Sequence, residues 1–190
     1  SCTLKVKIAP SGDFPRLRIK KTFTLRTCAT GGWCGIGDIG PGGGVVFYDA
    51  STTPHSGPFY EAAPSDLNGS LAWGCSSLSI PEATSTGIGS GSPNTNIIDA
   101  RCGETSASSE AKLLTTGGQT DWFVPSLGEL SALWSQRDIV PGLGSGGYWT
   151  SSEYSTGYGY FIAFVNGQSS YYAKQNTMSV RPIRQIVLPG

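Results

Sequence analysis

Residues 147–172 read GYWTSSEYSTGYGYFIAFVNGQSSYY and contain six of the eight tyrosines in the chain. The pair Asn166-Gly167 separates two stretches rich in strand-forming residues, and Asn-Gly is the strongest short signal for a β-hairpin turn. A two-residue turn at this pair predicts that Val165 lies opposite Gln168 in two antiparallel strands. The segment therefore predicts a tyrosine-rich hairpin.

The two faces of this hairpin differ in composition, because successive side chains of a strand point to opposite sides of a sheet. One face is almost wholly apolar or aromatic and is predicted to lie in the core; it comprises Tyr158, Tyr160, Ile162, Phe164, Ser169, Tyr171 and Ala173. The other face becomes polar along its outgoing strand and is predicted to meet solvent through Gln168, Ser170, Tyr172 and Lys174. The tyrosines of this segment are therefore expected to divide between core and surface.

The composition of the 190-residue chain is typical of a β-containing globular domain with many turns. Hydrophobic residues make up 38% and aromatic residues 11%, which is ample material for a core, whereas 14% are charged and 27 residues are glycine. A helical bundle or a disordered segment would have a different balance. No apolar run approaches the roughly 18 residues of a membrane-spanning helix, so no span is predicted.

Two segments ahead of the hairpin have helical patterns. The first is ETSASSEAKLLTT, residues 104–116, in which Ala107 and Ala111 fall on one face with Leu114. In the second, Ser126 and Glu129 form a capping box at the start of an apolar stripe with helical spacing. Both segments are predicted to be helices.

The remaining part of the chain has strand and loop patterns. VVFYDA, residues 45–50, reads as a strand, whereas residues 61–103 show little periodicity and many turn-forming residues. Gly35, Gly37 and Gly40 match G-x-G-x-x-G, but a dinucleotide site needs a strand before this motif and a helix after it. A strand follows here, so the glycines are expected to form turns, and the predicted class is α+β.

The beginning of the chain differs from the rest in charge. Residues 1–28 contain seven basic side chains and one acidic side chain, a balance of +6, and the other 162 residues carry −6. Alternating apolar and basic residues predict two strands, with a slip at Lys20-Lys21 that suggests a β-bulge. We divide the chain into a basic β-strand arm, residues 1–34, and a main domain, residues 35–190.

One face of the arm is strongly basic and includes Lys5, Lys7, Arg16, Arg18 and Lys20. A basic segment attached to an acidic body suggests a partner for that segment, which could be nucleic acid, an anionic surface or another copy of the chain. Alternatively, these side chains only face solvent. We treat them as a possible assembly segment.

The five cysteines favour disulfides formed in an oxidising compartment. No C-x-x-C pair and no haem motif is present, and one histidine cannot complete a zinc site of the usual kind, so no metal or cofactor is predicted. We expect one bridge between Cys75 and Cys102, and a second that joins Cys28 to Cys2 or to Cys34. The odd count leaves one thiol, which could form a bond between chains.

Six phrases that occur in order carry a family resemblance: IGDIGPGGGVVFYDA, YEAAPSDL, the step Trp73-Gly-Cys75, TDWFVPSLGEL, YWTSSEY and VRPIR. Over residues 36–186 the sequence resembles the C-terminal domain family of the Lcl collagen-like adhesins of bacterial surfaces. That family is similar in turn to the C-type-lectin-like fold of formylglycine-generating enzymes and of phage and retroelement variable proteins.

The resemblance implies an α+β, C-type-lectin-like domain with two helices on twisted antiparallel sheets, here preceded by an N-terminal two-stranded β extension. It implies an extracellular ligand-binding or adhesive module, commonly trimeric and often at the tip of a fibre. By likeness to the variable proteins, the ligand-binding residues would be Tyr154, Tyr158, Gln168, Ser170, Tyr172 and Lys174. Buried structural roles are implied for Trp122, Trp149, Glu153, Arg181 and Arg184, and we expect Glu153 to pair with one of these arginines because a buried charge needs a partner.

The sequence departs from the resemblance in two ways. The collagen-like adhesins imply recognition of sulfated polysaccharide through a basic surface, whereas the main domain here is acidic. The Glu-Pro-Asn and Trp-Asn-Asp calcium signatures of sugar-binding animal lectins are absent. Neither a sulfated polysaccharide nor calcium is therefore predicted.

Catalysis is not predicted either. The single histidine, His55, lies in the turn-like stretch TTPHSGP without a nucleophile signature nearby. A formylglycine-generating enzyme needs a late pair of cysteines, and no cysteine follows Cys102. The chain is therefore not expected to be an enzyme.

The leading hypothesis is a non-catalytic extracellular protein of a cell surface, virion surface or fibre, whose domain binds a glycan or protein ligand. Tyr, Ser, Gly and Asn on a rigid scaffold are typical of adaptable binding surfaces. The alternative is a self-assembling subunit of an extracellular filament or tail fibre, in which the arm adds strands to a neighbouring copy. Nucleic acid is not an expected partner.

Overall fold

A computed structural model describes residues 27–30, 32, 34–51, 58–103 and 105–187. Three α-helices and eight β-strands lie in these ranges. The helices are α1 (Gly91–Cys102), α2 (Ala107–Leu113) and α3 (Leu127–Ser135). The strands are β1 (Val45–Asp49), β2 (Phe59–Ala62), β3 (Leu71–Ala72), β4 (Gly147–Ser155), β5 (Tyr158–Ala163), β6 (Gln168–Ala173), β7 (Thr177–Met178) and β8 (Ile183–Ile186).

The strands of these ranges form three antiparallel sheets, with the orders β1-β2-β8, β3-β7 and β4-β5-β6. The last strand, β8, pairs with β2, so the beginning and the end of the main domain meet in one sheet. Helices and antiparallel sheets pack together, which confirms the α+β class. Within the described part of the chain, no helix has the length and apolar character needed to cross a membrane.

The sheet β4-β5-β6 lies between two apolar cores. On one face, Tyr148 and Ile162 pack with Leu130 of α3 and with residues of the sheet β1-β2-β8. On the other face, Trp149 packs with Trp73 and with residues of α1 and α2. Because Tyr148 and Trp149 are successive residues of one strand, their side chains enter different cores.

Two buried arginines tie β8 and the segment before it to the rest of the domain. Arg181 Nε donates to Asp66 Oδ1 at 2.6 Å, and Arg184 donates to Asp121 Oδ1 at 2.7 Å and to Glu61 Oε2 at 3.2 Å. Burial alone would lower the pKa of Arg184, but the hydrogen bonds and charges of Asp121 and Glu61 raise it overall. The predicted burial is confirmed for the whole structural set, Trp122, Trp149, Glu153, Arg181 and Arg184.

The capping box at the start of α3 is confirmed. Ser126 Oγ accepts from the Glu129 N–H at 3.3 Å, and Glu129 Oε2 accepts from the Ser126 N–H at 2.8 Å. Glu129 Oε1 also accepts from the N–H of Gly89 at 2.8 Å. Burial raises the pKa of the Glu129 carboxyl, although these backbone donors act in the opposite direction. One carboxylate therefore caps α3 and holds the loop that leads into α1.

The two predicted helices are present as α2 and α3, but α1 lies in residues 61–103, where no helix is predicted. Its buried residues are Gly91, Asn94, Thr95 and Ile98, of which one is large and apolar. Asn94 Nδ2 donates to Ser85 O at 2.7 Å, and Thr95 Oγ1 accepts from the Val124 N–H at 3.0 Å. Hydrogen bonds to loops replace the apolar stripe that would reveal the helix in the sequence.

The tyrosine-rich hairpin is confirmed, but the prediction of a two-residue turn is wrong. Gln168 lies opposite Ala163, so residues 164–167 form the connection. Trp134 Nε1 donates to the carbonyl oxygen of Phe164 at 3.1 Å, and a Cβ on Gly167, whose φ is +76°, would lie 2.5 Å from the Trp134 ring. The four-residue connection therefore packs against Trp134 of α3. Because the register differs from the prediction by two residues, each side chain keeps its predicted face.

The predicted bridge between Cys75 and Cys102 is confirmed. The second bridge joins Cys28 to Cys34, so the alternative pairing of Cys28 with Cys2 is wrong, and Cys2 lies outside the described residues. This second bridge is buried against one face of the sheet β1-β2-β8, where it contacts Val46, Phe59 and Ile186. The described end of the arm thus packs against the main domain.

The glycine-rich segment before β1 surrounds a buried carboxylate. Glu61 accepts from the N–H groups of Gly42 at 3.1 Å and Gly44 at 2.8 Å, and it also binds Arg184. A Cβ on Gly44 would lie 1.7 Å from the carbonyl oxygen of Ala62. Glycine is therefore required at this position because the backbone must pass close to β2.

Candidate functional site

The candidate site lies on the sheet β4-β5-β6, where a β-bulge redirects Tyr154. Glu153 lies opposite Gly159 and Ser155 lies opposite Tyr158, so Tyr154 is one extra residue in β4. A bulge of this kind changes the direction of a side chain. The ring of Tyr154 consequently lies over β5 and reaches Tyr171 on β6.

Four tyrosine rings form one contiguous cluster, which we call the tyrosine face: Tyr154, Tyr158, Tyr160 and Tyr171. Tyr154 and Tyr171 are stacked, with centroids 3.9 Å apart and planes inclined by 2°. The edge of Tyr160 meets Tyr154 at 5.2 Å, and the edge of Tyr158 meets Tyr171 at 5.7 Å. The residues Tyr154, Tyr158 and Tyr171 are 45%, 44% and 46% exposed. The rings hold one another in place and still present a large aromatic surface to solvent.

The tyrosine face can form hydrogen bonds as well as ring contacts. The neighbouring Tyr171 raises the pKa of Tyr154 by charge repulsion, with a further contribution from loss of water. The neutral Tyr154 hydroxyl can donate one hydrogen bond and accept others. The same residue thus offers an apolar ring and a polar tip to a ligand.

The segment that carries the tyrosine face exposes no charge of its own. From Tyr154 to Val180 the only charged residue is Lys174, and its side chain is buried. The exposed neighbours include Ser155 and Thr156, both uncharged. The residues of this segment can therefore contact a ligand by ring stacking, apolar contact and neutral hydrogen bonds.

The structure does not bring the six predicted ligand-binding residues together. Tyr154 and Tyr158 belong to the tyrosine face, whereas Gln168, Ser170 and Tyr172 are exposed on the opposite face of the hairpin. Tyr172 contacts the edge of a second aromatic ring, Phe161, with centroids 6.3 Å apart. The predicted set therefore divides between two surfaces of one hairpin.

The prediction that Lys174 faces solvent and binds ligand is wrong. Its ammonium donates to Glu153 Oε1 at 2.6 Å and to the carbonyl oxygen of Leu78 at 2.9 Å, and it lies 4.6 Å from the centre of the Trp73 ring. The side chain is 0% exposed, because after β6 the chain turns inward and Lys174 O accepts from the Trp73 N–H. Lys174 is therefore part of the support of the sheet.

The expected pairing of Glu153 with an arginine is wrong for the same reason. Both carboxylate oxygens of Glu153 accept from the Ile80 N–H, at 2.9 and 3.0 Å, and its cation is Lys174. Arg181 and Arg184 are satisfied by other carboxylates. The predicted burial of Glu153 is confirmed, but its partner is Lys174, a residue that is predicted to face solvent.

Tyr171 and Tyr160 belong to the site but are predicted to be in the core. The structure exposes 46% of Tyr171 and leaves Tyr160 half-buried. Their face is covered only near Ile162, at the end of the hairpin that contacts α3, and is open at the other end. The sequence signal that could have found them is the lack of any charge other than Lys174 over residues 154–180 together with five tyrosines.

The tyrosine face is supported by β4, whose buried polar side chains all form hydrogen bonds. Thr150 Oγ1 donates to Tyr160 O at 2.9 Å, and Ser152 Oγ donates to Ser85 O at 2.8 Å. Trp73 Nε1 donates to Thr150 O at 2.7 Å. These bonds connect β4 to β5 and to two loops, so the exposed rings are carried by a rigid support.

The predicted assembly residues Lys5, Lys7, Arg16, Arg18 and Lys20 lie outside the described residues, as does His55. Their roles remain predictions from the sequence. Among the residues that the structure describes, no three His, Cys, Asp or Glu side chains are grouped so that they could hold a metal ion.

Comparison of the sequence with models of known protein families finds no match. Comparison with curated protein sequences also finds none.

Proposed function

We propose that this chain is a non-catalytic, extracellular ligand-binding or adhesive module whose recognition surface is the tyrosine face. The observation that carries the proposal is three tyrosines, each 44–46% exposed, in which Tyr171 contacts both Tyr154 and Tyr158, on a buried and hydrogen-bonded support. Tyrosine provides a large contact area with few rotatable bonds, and for this reason it dominates adaptable binding surfaces. Contiguous apolar patches on a protein surface commonly mark interaction sites, so the exposed aromatic cluster supports this proposal.

The ligand class follows from the absence of charge. The recognition surface offers aromatic rings and hydroxyls, and residues 154–180 expose none of the cations that a sulfated or phosphorylated ligand would require. We therefore propose a neutral ligand, either an uncharged glycan or a neutral protein surface. This differs from the sulfated ligand implied by the resemblance to the collagen-like adhesins.

We also propose the C-type-lectin-like fold for the main domain and a location outside the cell, on a cell or virion surface. The pairing of β8 with β2 and the position of the exposed rings on the final three-stranded sheet support this fold. The two disulfides support an oxidising compartment.

A binding screen with two matched variants tests the proposal. The full chain is applied to arrays of neutral glycans, sulfated glycans and extracellular proteins. One variant combines Tyr154→Ala, Tyr158→Ala and Tyr171→Ala; the control combines Gln168→Ala, Ser170→Ala and Tyr172→Ala on the opposite face. We expect the first variant to lose binding to a neutral ligand by about tenfold or more, and the control to keep it.

Two results would count against the proposal. Unchanged binding by the tyrosine-face variant would show that this surface does not bind the ligand. Binding by the wild type to sulfated ligands alone would contradict the neutral ligand class. Circular dichroism of each variant confirms that a loss of binding does not come from unfolding.

A further inference from the structure

The outer edge of β6 is open in the part of the chain that the structure describes. β6 is the last strand of the sheet β4-β5-β6, and it pairs only with β5. The Lys174 N–H donates to Gly157 O at 3.0 Å, so by antiparallel alternation Tyr172 and Ser170 exchange hydrogen bonds with β5. The N–H and C=O groups of Ser169 and Tyr171 therefore point outward from the sheet.

The outer edges of the sheet β1-β2-β8 are covered, whereas the outer edge of β6 is not. The segment before β1 folds back on it, with Gly37 N–H donating to Val46 O at 2.8 Å and Val46 N–H donating to Asp38 O at 2.9 Å. At β8, Phe123 and Ile183 exchange two backbone hydrogen bonds of 2.9 Å. The fold thus covers those edges with its own chain.

The β6 edge also lacks the features that normally prevent strand pairing. Natural edges carry charged residues, proline or a bulge. The sequence of β6 is QSSYYA, its register with β5 is regular over all six residues, and five of the six are exposed. An unprotected edge of this length is a template for another strand.

We infer that the outer edge of β6 pairs antiparallel with the β6 edge of a second copy of this chain, about a two-fold axis perpendicular to the sheet. A second copy is compatible with this edge because β6, QSSYYA, has no charged side chain, so no like charges of the two copies would meet across the pairing. An antiparallel edge is also complementary to itself, as a two-fold interface requires.

The geometry of this pairing has a consequence for ligand binding. A two-fold axis perpendicular to the sheet keeps both tyrosine faces on the same side of one six-stranded sheet. The dimer would then present two copies of the tyrosine face side by side to a surface that repeats the ligand. Avidity would strengthen binding to such a surface without any new contact within one copy.

Sedimentation of the full chain over a range of concentrations tests the inference. We expect a reversible dimer, with a dissociation constant raised about tenfold or more by Ser169→Lys, since a lysine on an edge strand disfavours pairing with another strand. Val165→Lys is the matched control, because it adds the same charge to the same hairpin away from the β6 edge. The control should change the dissociation constant by less than about twofold.

Amide hydrogen exchange gives a second readout at single residues. The amides of Ser169 and Tyr171 should exchange fast in dilute samples and become protected when the dimer forms, whereas those of Ser170 and Tyr172 should be protected throughout. A monomer at all concentrations would overturn the inference, as would association unaffected by Ser169→Lys. Protection of Ser169 and Tyr171 at every concentration would also overturn it, because a segment of the same chain would then cover the edge.

Discussion

The exposed tyrosines of β6 and the lysine that follows the strand reverse the usual division between core and surface. At Tyr171 and Tyr172, large aromatic side chains are 46% and 48% exposed. At Lys174, two residues later, a charged side chain is fully buried with Glu153 beneath Trp73. The surface of this hairpin is aromatic, and its support contains the charge.

Charged and aromatic side chains therefore have different roles in this molecule. The buried carboxylates Glu61, Glu129 and Glu153 accept backbone N–H groups from loops that have little regular structure of their own. Charge therefore organises a loop-rich fold from inside. The exposed tyrosines make no comparable contribution to folding, so they are available for contacts with another molecule.

The largest effect in this comparison is expected at the buried end. Lys174→Met leaves the carboxylate of Glu153 buried without its cation, and breaking such a pair costs about 3–5 kcal/mol. Urea unfolding measures this loss. A second variant that combines Lys174→Met with Glu153→Gln should lose less than the single variant, because no buried charge remains. A single-variant loss below about 1 kcal/mol, as for an exposed pair, would contradict the burial of Lys174.

The next effect concerns tyrosines that are buried rather than exposed. Burial raises the pKa of Tyr60 and of Tyr148 to about 12, from an ordinary value of 10.0. The unfolded chain loses these protons near pH 10 while the folded chain keeps them to about pH 12. Stability from these groups is therefore complete below the lower value and falls as the pH rises toward the upper one.

The stability that each of these hydroxyls contributes is lost over that pH range, by roughly 1–2 kcal/mol once partial screening by solvent is allowed for. Urea unfolding at successive alkaline pH values gives the slope. Replacing Tyr60 or Tyr148 with Phe should make the slope shallower, whatever its effect at neutral pH. An unchanged slope in both variants would mean that neither hydroxyl is held protonated by the fold.

A smaller effect is expected on the tyrosine face itself. The variant with Tyr154→Ala, Tyr158→Ala and Tyr171→Ala should lower the melting temperature by no more than about 5 °C, because each ring is already half in water. Differential scanning calorimetry makes this comparison. A cooperative transition lowered by more than about 15 °C would assign the rings to the core, since that shift corresponds to several kcal/mol.

The smallest effect is expected at Tyr172, on the opposite face of the hairpin. Its main contact is with the edge of Phe161, so Tyr172→Ala should change the free energy of unfolding by less than about 1 kcal/mol. Comparison with Lys174→Met shows how much more the free energy of unfolding depends on the buried lysine than on the exposed tyrosine. Equal losses of free energy in the two variants would contradict the different roles assigned to Lys174 and Tyr172.

Local features of the fold could be predicted from the sequence. The capping box at Ser126 and Glu129, the Cys75–Cys102 bridge and the Asn166-Gly167 hairpin depend on residues that signal a structure through their own chemistry. The face of each hairpin residue was also predictable, because alternation determines it and an error of two residues in register leaves it unchanged.

The depth of burial along those faces could not be predicted. Whether Tyr171 is covered depends on how far α3 extends over the sheet, and whether Lys174 is buried depends on the loop that carries Trp73 and Leu78. Both are contacts between residues far apart in the sequence. The helix α1 could not be predicted for a related reason. Its buried face carries Asn94 and Thr95, which form hydrogen bonds, whereas a periodic helical pattern would need apolar side chains there.

The salt dependence of ligand binding by the full chain tests the central claim, that a neutral aromatic surface carries recognition. Between about 0.01 M and about 1 M salt, the distance over which charges act falls from about 30 Å to about 3 Å. We predict that the dissociation constant for a ligand found on the arrays changes by less than about twofold over this range, because stacking and neutral hydrogen bonds are not screened. Weakening by about tenfold or more would contradict the claim, because it would place recognition on charged side chains, such as those of the basic arm.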